Sequence, residues 1–414
     1  MKTIIQNISQ LLQVRDEHID AVVGNEMKEL PIIENAFLEI EDGLIINYGS
    51  MSDIHGSDYA NTTRVINAKG GIVLPTWADS HTHIVYAGSR EKEFVDRING
   101  LSYEEIAKNG GGILNSAKRL HDTTEDELYK QASVRLEEIM GMGTGAVEIK
   151  SGYGLTVQDE VKMLRVIKRL NQDYPITIKA TFLGAHAIPA EYKENRAGYI
   201  NLIIEDMIPL VAEEGLAEYV DVFCDRGFFT PNETDQILKA GTKHGLTPKI
   251  HANELDYSGG IQIGVQHKAL SVDHLEFTGD EEIDVLMKSE TMPTLMPSTA
   301  FFLGLEYPPA RKMMEAGLPI ALATDYNPGS SPSGKMAFTL SLACIQLKMT
   351  PEEAINAATM NSAYAMGVQN ELGSITKGKK ANVIITKPIN SYAYIPYSFG
   401  SDLVSQVIIE GEVI

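Results

Sequence analysis

Two histidines, His81 and His83, are separated by a single threonine at the end of an apolar stretch. Side chains alternate across a β-strand, so two imidazoles at this spacing point to the same side and can bind one metal ion. The motif is weak evidence when it stands alone. It gains weight if the stretch is a barrel strand, because barrel enzymes carry their chemistry at the C-terminal ends of the strands.

Other side chains with metal-binding or acid–base chemistry stand at the ends of further apolar stretches. They are His186, His251, His274 and Asp325. A single histidine in a strand is more often a hydrogen-bonded core residue than a ligand. Several imidazoles buried together would repel one another and lose hydration unless a cation organised them. The set therefore favours a metal centre.

The candidate metal ligands are three imidazoles and one carboxylate, His81, His83, His251 and Asp325. Such a donor set suits one divalent ion per chain, zinc or iron. An ion of this kind lowers the pKa of water and polarises a carbonyl group. A two-metal site would need a further anionic ligand, such as a carboxylated lysine on the fourth strand, and that stretch has no lysine. Lys150 ends the second stretch instead, where it could pair with Glu148 or face solvent.

The residues between 69 and 367 alternate apolar, β-branched stretches with helical patterns. The predicted strands are 72–83, 144–150, 176–186, 219–225, 247–254, 270–277, 292–297 and 320–325. Thr124 with Glu127 is a helix-capping signal, and Thr156 precedes an apolar stripe with helical spacing. Eight strands that alternate with helices predict an α/β fold, a (β/α)8 TIM-like barrel.

The two ends of the chain have a different texture of short strands and turns. Residues 1–68 include an Asp42-Gly43 pair between two apolar runs, which is a hairpin signal. Residues 368–414 return to the same texture. We predict that the two segments form one small composite β-sandwich domain beside a barrel of residues 69–367.

Composition and charge restrict the partners. The chain has 414 residues, and 35 Lys and Arg stand against 56 Asp and Glu, a net charge of −21. This excludes a nucleic-acid binder that works by counterion release, and an anionic membrane surface would repel the protein. Neither a signal peptide nor an apolar run of membrane-spanning length is evident, so we expect a cytoplasmic protein. An anionic small-molecule substrate would need a cation placed next to its binding site.

Residues 329–335 match the phosphate-binding pattern G-x-x-x-x-G-K after a predicted strand. Met336 occupies the position of the magnesium-binding hydroxyl, and Pro332 lacks a backbone donor. We therefore interpret this loop as something other than a nucleotide site.

The chain resembles the amidohydrolase superfamily in its His-Thr-His, its lone strand histidine, its Asp-His and its final Thr-Asp. The resemblance runs essentially end to end, and its most specific stretches are 79–83, 87–94, 148–155, 184–189, 249–254 and 324–332. It implies hydrolysis of the lactam-like C–N bond of 4-imidazolone-5-propanoate to N-formimidoyl-L-glutamate, a step of histidine degradation. It also implies a homodimer.

The same resemblance implies roles for individual residues. The expected substrate-binding residues are Arg90, Tyr153, His186, Glu254, Asn327, Gly329 and Ser330. A guanidinium suits the substrate's propionate, although Arg90 could instead pair with Glu91 or Glu93 at the surface. The expected catalytic residues are Asp325, which moves the proton of the attacking water, His274, which orients that water, and Glu254, which contacts ring nitrogens.

Two other functions remain open at this point. A purine or pyrimidine deaminase would keep the fold and the metal but would have less use for Arg90. A metal- or nucleotide-binding protein without catalytic activity would instead use the loop at 329–335.

Overall fold

The computed structural model describes residues 2–54, 64–101 and 111–414, and its N-terminal part is a set of β-strands. They are β1 (Lys2–Leu12), β2 (Ile32–Glu41), β3 (Leu44–Ser50), β4 (Arg64–Asn67) and β5 (Val73–Pro75). Asp42 and Gly43 join β2 to β3 with φ of 49° and 81°. These left-handed values are those of the tight turn that the Asp-Gly pair predicts.

The central part of the chain forms a second, parallel sheet. Its strands are β6 (Trp77–Thr82), β7 (Thr144–Lys150), β8 (Thr177–Ala185), β9 (Tyr219–Cys224), β10 (Thr247–Ala252), β11 (Ser271–His274), β12 (Met292–Leu295) and β13 (Ala321–Leu322). Each strand pairs with its neighbour in the sequence, in the order β6 to β13. The predicted (β/α)8 barrel is confirmed.

Helices connect the barrel strands. They are α1 (Glu91–Ile98), α2 (Ile113–Asp122), α3 (Glu125–Gly141), α4 (Val157–Asp173), α5 (Arg196–Leu202), α6 (Ile208–Glu213), α7 (Pro231–Lys243), α8 (Gly260–Gln266), α9 (Asp280–Leu286), α10 (Pro297–Leu303), α11 (Ala310–Ala316), α12 (Met336–Ile345), α13 (Pro351–Asn356) and α14 (Ser362–Ala365). As predicted, the Thr124 hydroxyl caps α3 by accepting a hydrogen bond from the Glu127 amide. Short π-helical turns lie at Ile203–Met207 and Ala357–Asn361. Within the described residues, no helix has the length and hydropathy needed to cross a bilayer.

The C-terminal segment returns to the first sheet. It contributes β14 (Val383–Thr386), α15 (Tyr394–Tyr397), β15 (Val404–Ile409) and β16 (Glu412–Val413). β14 pairs with β5, which in turn pairs with β1, so both ends of the chain share one eight-stranded sheet. This confirms a small β domain built from the two ends. The domain boundaries at 68/69 and 367/368 stay a prediction.

The predicted first strand, 72–83, is in fact two strands in two sheets. The Thr76 amide donates to the Asn382 carbonyl beside the terminal sheet, and the next amide, that of Trp77, donates to the Gly143 carbonyl in the barrel. The apolar run is continuous across the point at which the hydrogen-bonded neighbour strand changes. The sequence therefore could not reveal that two strands are present.

The barrel closes between β6 and the segment that follows β13. Asp79 lies on β6 and accepts hydrogen bonds from Thr324, from the amide at 3.0 Å and from the hydroxyl at 2.6 Å. Two further backbone bonds, Asp325 amide to His81 carbonyl and His83 amide to Tyr326 carbonyl, continue the closure. Burial raises the pKa of Asp79 to about 7, and the bonds from Thr324 partly offset that rise.

We expect Thr324→Val to lower the free energy of unfolding by about 1–3 kcal/mol, because it removes a donor from a buried carboxylate. Urea unfolding followed by circular dichroism measures the effect. Thr294→Val is the matched control, since Thr294 is equally buried on β12 and its hydroxyl has no hydrogen-bond partner among the described residues. Equal stability of the two variants would show that Thr324 does not support the closure.

Candidate active site

Four donor atoms converge at the C-terminal end of the barrel. The Nε2 atoms of His83 and His81 are 3.3 Å apart, and those of His251 and His83 are 3.4 Å apart. Asp325 Oδ1 lies 3.6 Å from His81 Nε2 and 3.7 Å from His83 Nε2. All four side chains are buried. The structure thus brings together the four candidate ligands.

This arrangement fits a divalent metal ion. Four atoms bound tetrahedrally at about 2.1 Å from one ion are about 3.4 Å from one another, which is close to the separations observed here. Burial, reinforced by Lys150 for His81 and by His186 for His83, holds the pKa of both imidazoles well below the usual value. The rings are therefore neutral, and neutral imidazole is the metal-binding form.

Two carboxylates, Asp221 on β9 and Asp273 on β11, lie against the Nδ1 atoms of two of these histidines. Asp273 Oδ2 lies 2.6 Å from Nδ1 of His81, and Asp221 Oδ2 lies 2.9 Å from Nδ1 of His251. A carboxylate at Nδ1 fixes the orientation of the ring and directs Nε2 toward a metal. The contact at His81 is a hydrogen bond, whereas Asp221 lies at ion-pair distance from the His251 ring and accepts a hydrogen bond from the His251 amide at 3.1 Å. Barrel strands thus supply both the candidate ligands and the carboxylates beside them.

Lys150 lies beneath this cluster and is fully buried. Its ammonium group is 2.6 Å from Glu148 Oε1 and 2.9 Å from Asp221 Oδ2. Of the two roles open to Lys150 in the sequence, pairing with Glu148 is the one found. Desolvation by burial opposes its charge, but Asp221, Glu148 and Asp273 outweigh that effect and raise its pKa.

Asp325 is held in a strained backbone conformation with φ of 53°. Its Oδ2 accepts hydrogen bonds from the Thr299 hydroxyl at 2.7 Å and from the Ser330 hydroxyl at 3.3 Å. These bonds fix the side chain with Oδ1 toward the histidines. Burial raises the pKa of Asp325 to about 6. Left-handed conformations of non-glycine residues are often kept at functional sites.

His186 and Tyr153 lie beside the four candidate ligands, next to His83. The His186 ring stacks on that of His83 at 5.3 Å, and the Tyr153 ring lies 5.4 Å from that of His186. The Nδ1 atom of His186 is 3.0 Å from the Gly152 carbonyl, which can only accept, so this nitrogen carries the proton. Burial lowers the pKa of His186 to about 3, with a smaller contribution from His251.

Of the two acidic partners considered for Arg90, the structure pairs it with Glu93. The pair is mostly shielded from solvent, with Arg90 half-buried and Glu93 buried. Glu93 Oε2 lies 2.7 Å from Nε and 2.6 Å from Nη2 of Arg90. The Nη1 atom lies against Gly329, where a β-carbon would collide with it. A guanidinium has five donors, more than this one carboxylate takes up.

His274 and Glu254 lie beside His81 and His251, and one donor atom each of His81, His251 and His274 lie within 4.8 Å of one another. His274 has φ of 88°, and its Nε2 is 3.7 Å from Glu254 Oε2. Burial, together with the nearby carboxylates of Asp325 and Asp225, raises the pKa of Glu254 to about 8. The three expected catalytic side chains therefore surround one space.

The loop at 329–335 does not form a phosphate cradle. Asn327 Oδ1 accepts hydrogen bonds from the backbone amides of Gly329 and Ser330, both at 2.8 Å. These are amides that a phosphate would need. Asn327, Gly329 and Ser330 instead lie around Asp325 and Arg90.

Comparison with known proteins agrees with this geometry. Residues 72–414 match the model of the Amidohydrolase family. Proteins named imidazolonepropionase are 61% identical in Flavobacterium johnsoniae and 63% identical in Flavobacterium psychrophilum, over all of both chains. One from Brevibacillus brevis is 42% identical over 99% of this chain and 97% of its own.

The chain belongs to the imidazolonepropionase family of amidohydrolases.

Solved structures show how widely the fold of this family is shared. A triazine hydrolase superposes with a TM-score of 0.75 at 15% identity, and covers 100% of this chain and 94% of its own. E. coli guanine deaminase gives 0.74 at 14% identity, over 100% and 99% of the two chains. An adenosine deaminase from Xanthomonas campestris, with bound zinc, gives 0.69 at 14%, over 99% and 92%. At these identities the likeness concerns the fold alone.

Several residues of the site escaped the sequence analysis of this family member. The most important are Asp221, Asp273, Thr299 and Lys249. The sequence could have indicated Lys249, because it lies two residues before His251 on one strand and its side chain must point to the same side. Asp221 and Asp273 are charged residues inside buried strands, which is itself unusual.

We predict that His186 keeps one neutral form, protonated at Nδ1, between pH 5 and 8, because its pKa lies far below this range. Nitrogen-15 chemical shifts of selectively labelled histidines measure it. His121 is the control. A hydrogen bond from its ring to Asp159 raises its pKa, so it gains a proton as the pH falls through this range. A His186 that titrates like His121 would contradict the buried position described here.

Proposed function

We propose that the protein hydrolyses the C–N bond of 4-imidazolone-5-propanoate to give N-formimidoyl-L-glutamate in histidine degradation. The observation that carries this proposal is the convergence of three histidines and Asp325 near the half-buried Arg90. Relatives that match this chain over at least 97% of their own length are named imidazolonepropionase.

The proposed cofactor is one divalent ion per chain, zinc or iron. Its ligands would be His81, His83, His251 and Asp325, whose donor atoms share one small volume. When bound, such an ion activates water and stabilises negative charge on a carbonyl oxygen. The remaining chemistry must come from side chains of the protein.

Substrate binding would begin at Arg90. The propionate of the substrate is anionic, and a guanidinium binds a carboxylate through two parallel hydrogen bonds. Glu93 and Gly329 hold the guanidinium in place while leaving it further donors. The rings of Tyr153 and His186 lie against that of His83, from which they would contact the same carboxylate or the ring of the substrate.

The reaction requires that a proton move from water to the leaving nitrogen. A bond forms between the water oxygen and the ring carbonyl carbon, and the C–N bond breaks. With a pKa of about 6, Asp325 is largely ionised at neutral pH and can take the proton of the water. It can then pass that proton to the ring nitrogen, so the atoms balance.

His274 and Glu254 would complete the machinery. His274 is neutral because burial and the neighbouring His251 hold its pKa well below the usual value. A neutral imidazole can orient the water and donate a hydrogen bond to the developing oxyanion. Glu254 lies beside it and would contact the ring nitrogens. Asn327, Gly329 and Ser330 would line the end of the site where the product forms.

The homodimer and the cytoplasmic location stay predictions from the sequence. A deaminase of purines or pyrimidines is not favoured, because the relatives that match over the full chain carry the other name. The loop at 329–335 does not support nucleotide binding, since its amides are already bonded to Asn327.

Incubation of the purified enzyme with 4-imidazolone-5-propanoate, followed by the loss of ultraviolet absorbance, tests the proposed reaction. We expect rapid loss, with N-formimidoyl-L-glutamate as the product. Guanine and adenosine serve as comparison substrates and should be left unchanged. Deamination of either one without turnover of the imidazolone would overturn the proposal.

Arg90→Ala should lower kcat/KM for this substrate by about 10²-fold or more, because a charge-assisted pair with the propionate is lost. Steady-state kinetics measure it. Arg165→Ala is the control, since Arg165 is exposed and pairs with Glu214 on the outside of the barrel. An Arg90→Ala enzyme as active as the Arg165→Ala enzyme would show that Arg90 does not bind substrate.

A further inference from the structure

A group of five charged side chains fills the barrel directly below the four metal-binding atoms. We call it the lysine cluster, and its members are Glu148, Lys150, Asp221, Lys249 and Asp273. Every one of these side chains is fully buried. Buried charges are costly unless each has a partner, so an arrangement of this size is retained for a reason.

The ammonium group of Lys150 lies on the same oxygen atoms that orient two of the histidines. It is 2.9 Å from Asp221 Oδ2, the atom that faces His251 Nδ1. It is also 3.6 Å from Asp273 Oδ2, the atom that faces His81 Nδ1. One cation therefore connects the carboxylates behind both histidines.

The other lysine of the cluster differs in this respect. Lys249 forms an ion pair with Glu148 Oε2 and donates to the backbone carbonyls of Ser80 and Ala365. The contacts described for its ammonium group include neither Asp221 nor Asp273. The two buried lysines share Glu148. Lys150 is the one with described ion-pair distances to both Asp221 and Asp273. Burial raises the pKa of Asp273, although the charge of Lys249 also acts on this carboxyl and opposes that rise.

We propose that Lys150 is a positioning residue that fixes the two metal-binding histidines His81 and His251 through Asp273 and Asp221. This rests on the proposed ligand set. The ammonium attracts both carboxylates to one point, and each carboxylate holds its imidazole with Nε2 toward the metal. The geometry of the metal site is thereby set from the interior of the barrel, with two side chains between the ammonium group and the ion.

Removal of the ammonium leaves two buried carboxylates that repel each other. They would move apart or rotate, and the imidazoles would turn with them. Substitution of an outer residue that orients a metal ligand usually costs about 10- to 100-fold in metal affinity. We expect a loss of this size in Lys150→Met.

Zinc affinity is measured on the full-length protein by competition with a chromophoric chelator, together with the visible spectrum of the cobalt(II)-substituted form. Lys150→Met should weaken zinc binding about 10- to 100-fold and alter the cobalt spectrum, which reports ligand geometry. Lys150→Gln keeps a neutral donor, should change both readouts in the same direction, and serves if the methionine variant does not fold. Lys379→Met is the control and should leave both readouts unchanged, since Lys379 is a buried lysine of the C-terminal segment that donates to the carbonyls of Gln369 and Leu372.

The outcomes distinguish the role of Lys150 from the existence of the metal site itself. Zinc binding by Lys150→Met or Lys150→Gln equal to that of wild type would overturn the role of Lys150 while leaving the metal site intact. Equal losses in the Lys150 and Lys379 variants would also overturn it, since a buried lysine would then serve only the stability of the protein. A wild-type protein that binds no divalent ion would overturn the proposed function itself.

Discussion

The cost of burying charge at the C-terminal end of the barrel is the constraint on which the rest of the structure depends. His81, His83 and His251 lie with Asp325 in a volume that excludes solvent. Such a group is stable only if each member has a partner or shares a cation. Hydrogen bonds from Thr299 and Ser330, and the carboxylates of Asp221 and Asp273, supply part of that compensation. A divalent ion among the four donor atoms would supply the rest.

Much of the fold could be predicted because the barrel repeats one simple pattern. Apolar stretches of strand length alternate with helical patterns, and the observed strand Thr144–Lys150 coincides with its prediction. The candidate ligands were recognisable because they lie at strand ends. His81 and His83 are two residues apart, so their side chains point to the same side of the strand. The local sequence pattern is enough to predict a strand or helix when that element packs against the same sheet or core along its whole length.

What escaped prediction depends on contacts between distant parts of the chain. The change of sheet at Thr76 arises from partners at Asn382 and Gly143, and nothing around Thr76 announces it. The pairing of Lys150 with Asp221 joins strands that are not neighbours in the barrel, across its interior. A charged residue in a buried strand indicates that a partner exists, but only the closed barrel identifies that partner.

The strongly negative net charge of the chain, −21, affects how an anionic substrate could bind. It would disfavour an anionic substrate unless a cation stood at the site. The structure holds Arg90 there, fixed by Glu93 in a mostly buried pair. A local arginine whose position is fixed by its own carboxylate can act against the overall field, because burial strengthens short-range interactions relative to screened, distant ones.

The position of a bound zinc ion would test the proposed ligand set, His81, His83, His251 and Asp325. Crystals grown with zinc, with diffraction recorded on both sides of the zinc absorption edge, locate the ion by its anomalous signal. We expect one peak per chain, at about 2.0–2.2 Å from Nε2 of His81, His83 and His251 and from Oδ1 of Asp325. A zinc ion bound by His274 in place of one of these four, or a catalytically active enzyme with no ion among them, would contradict it.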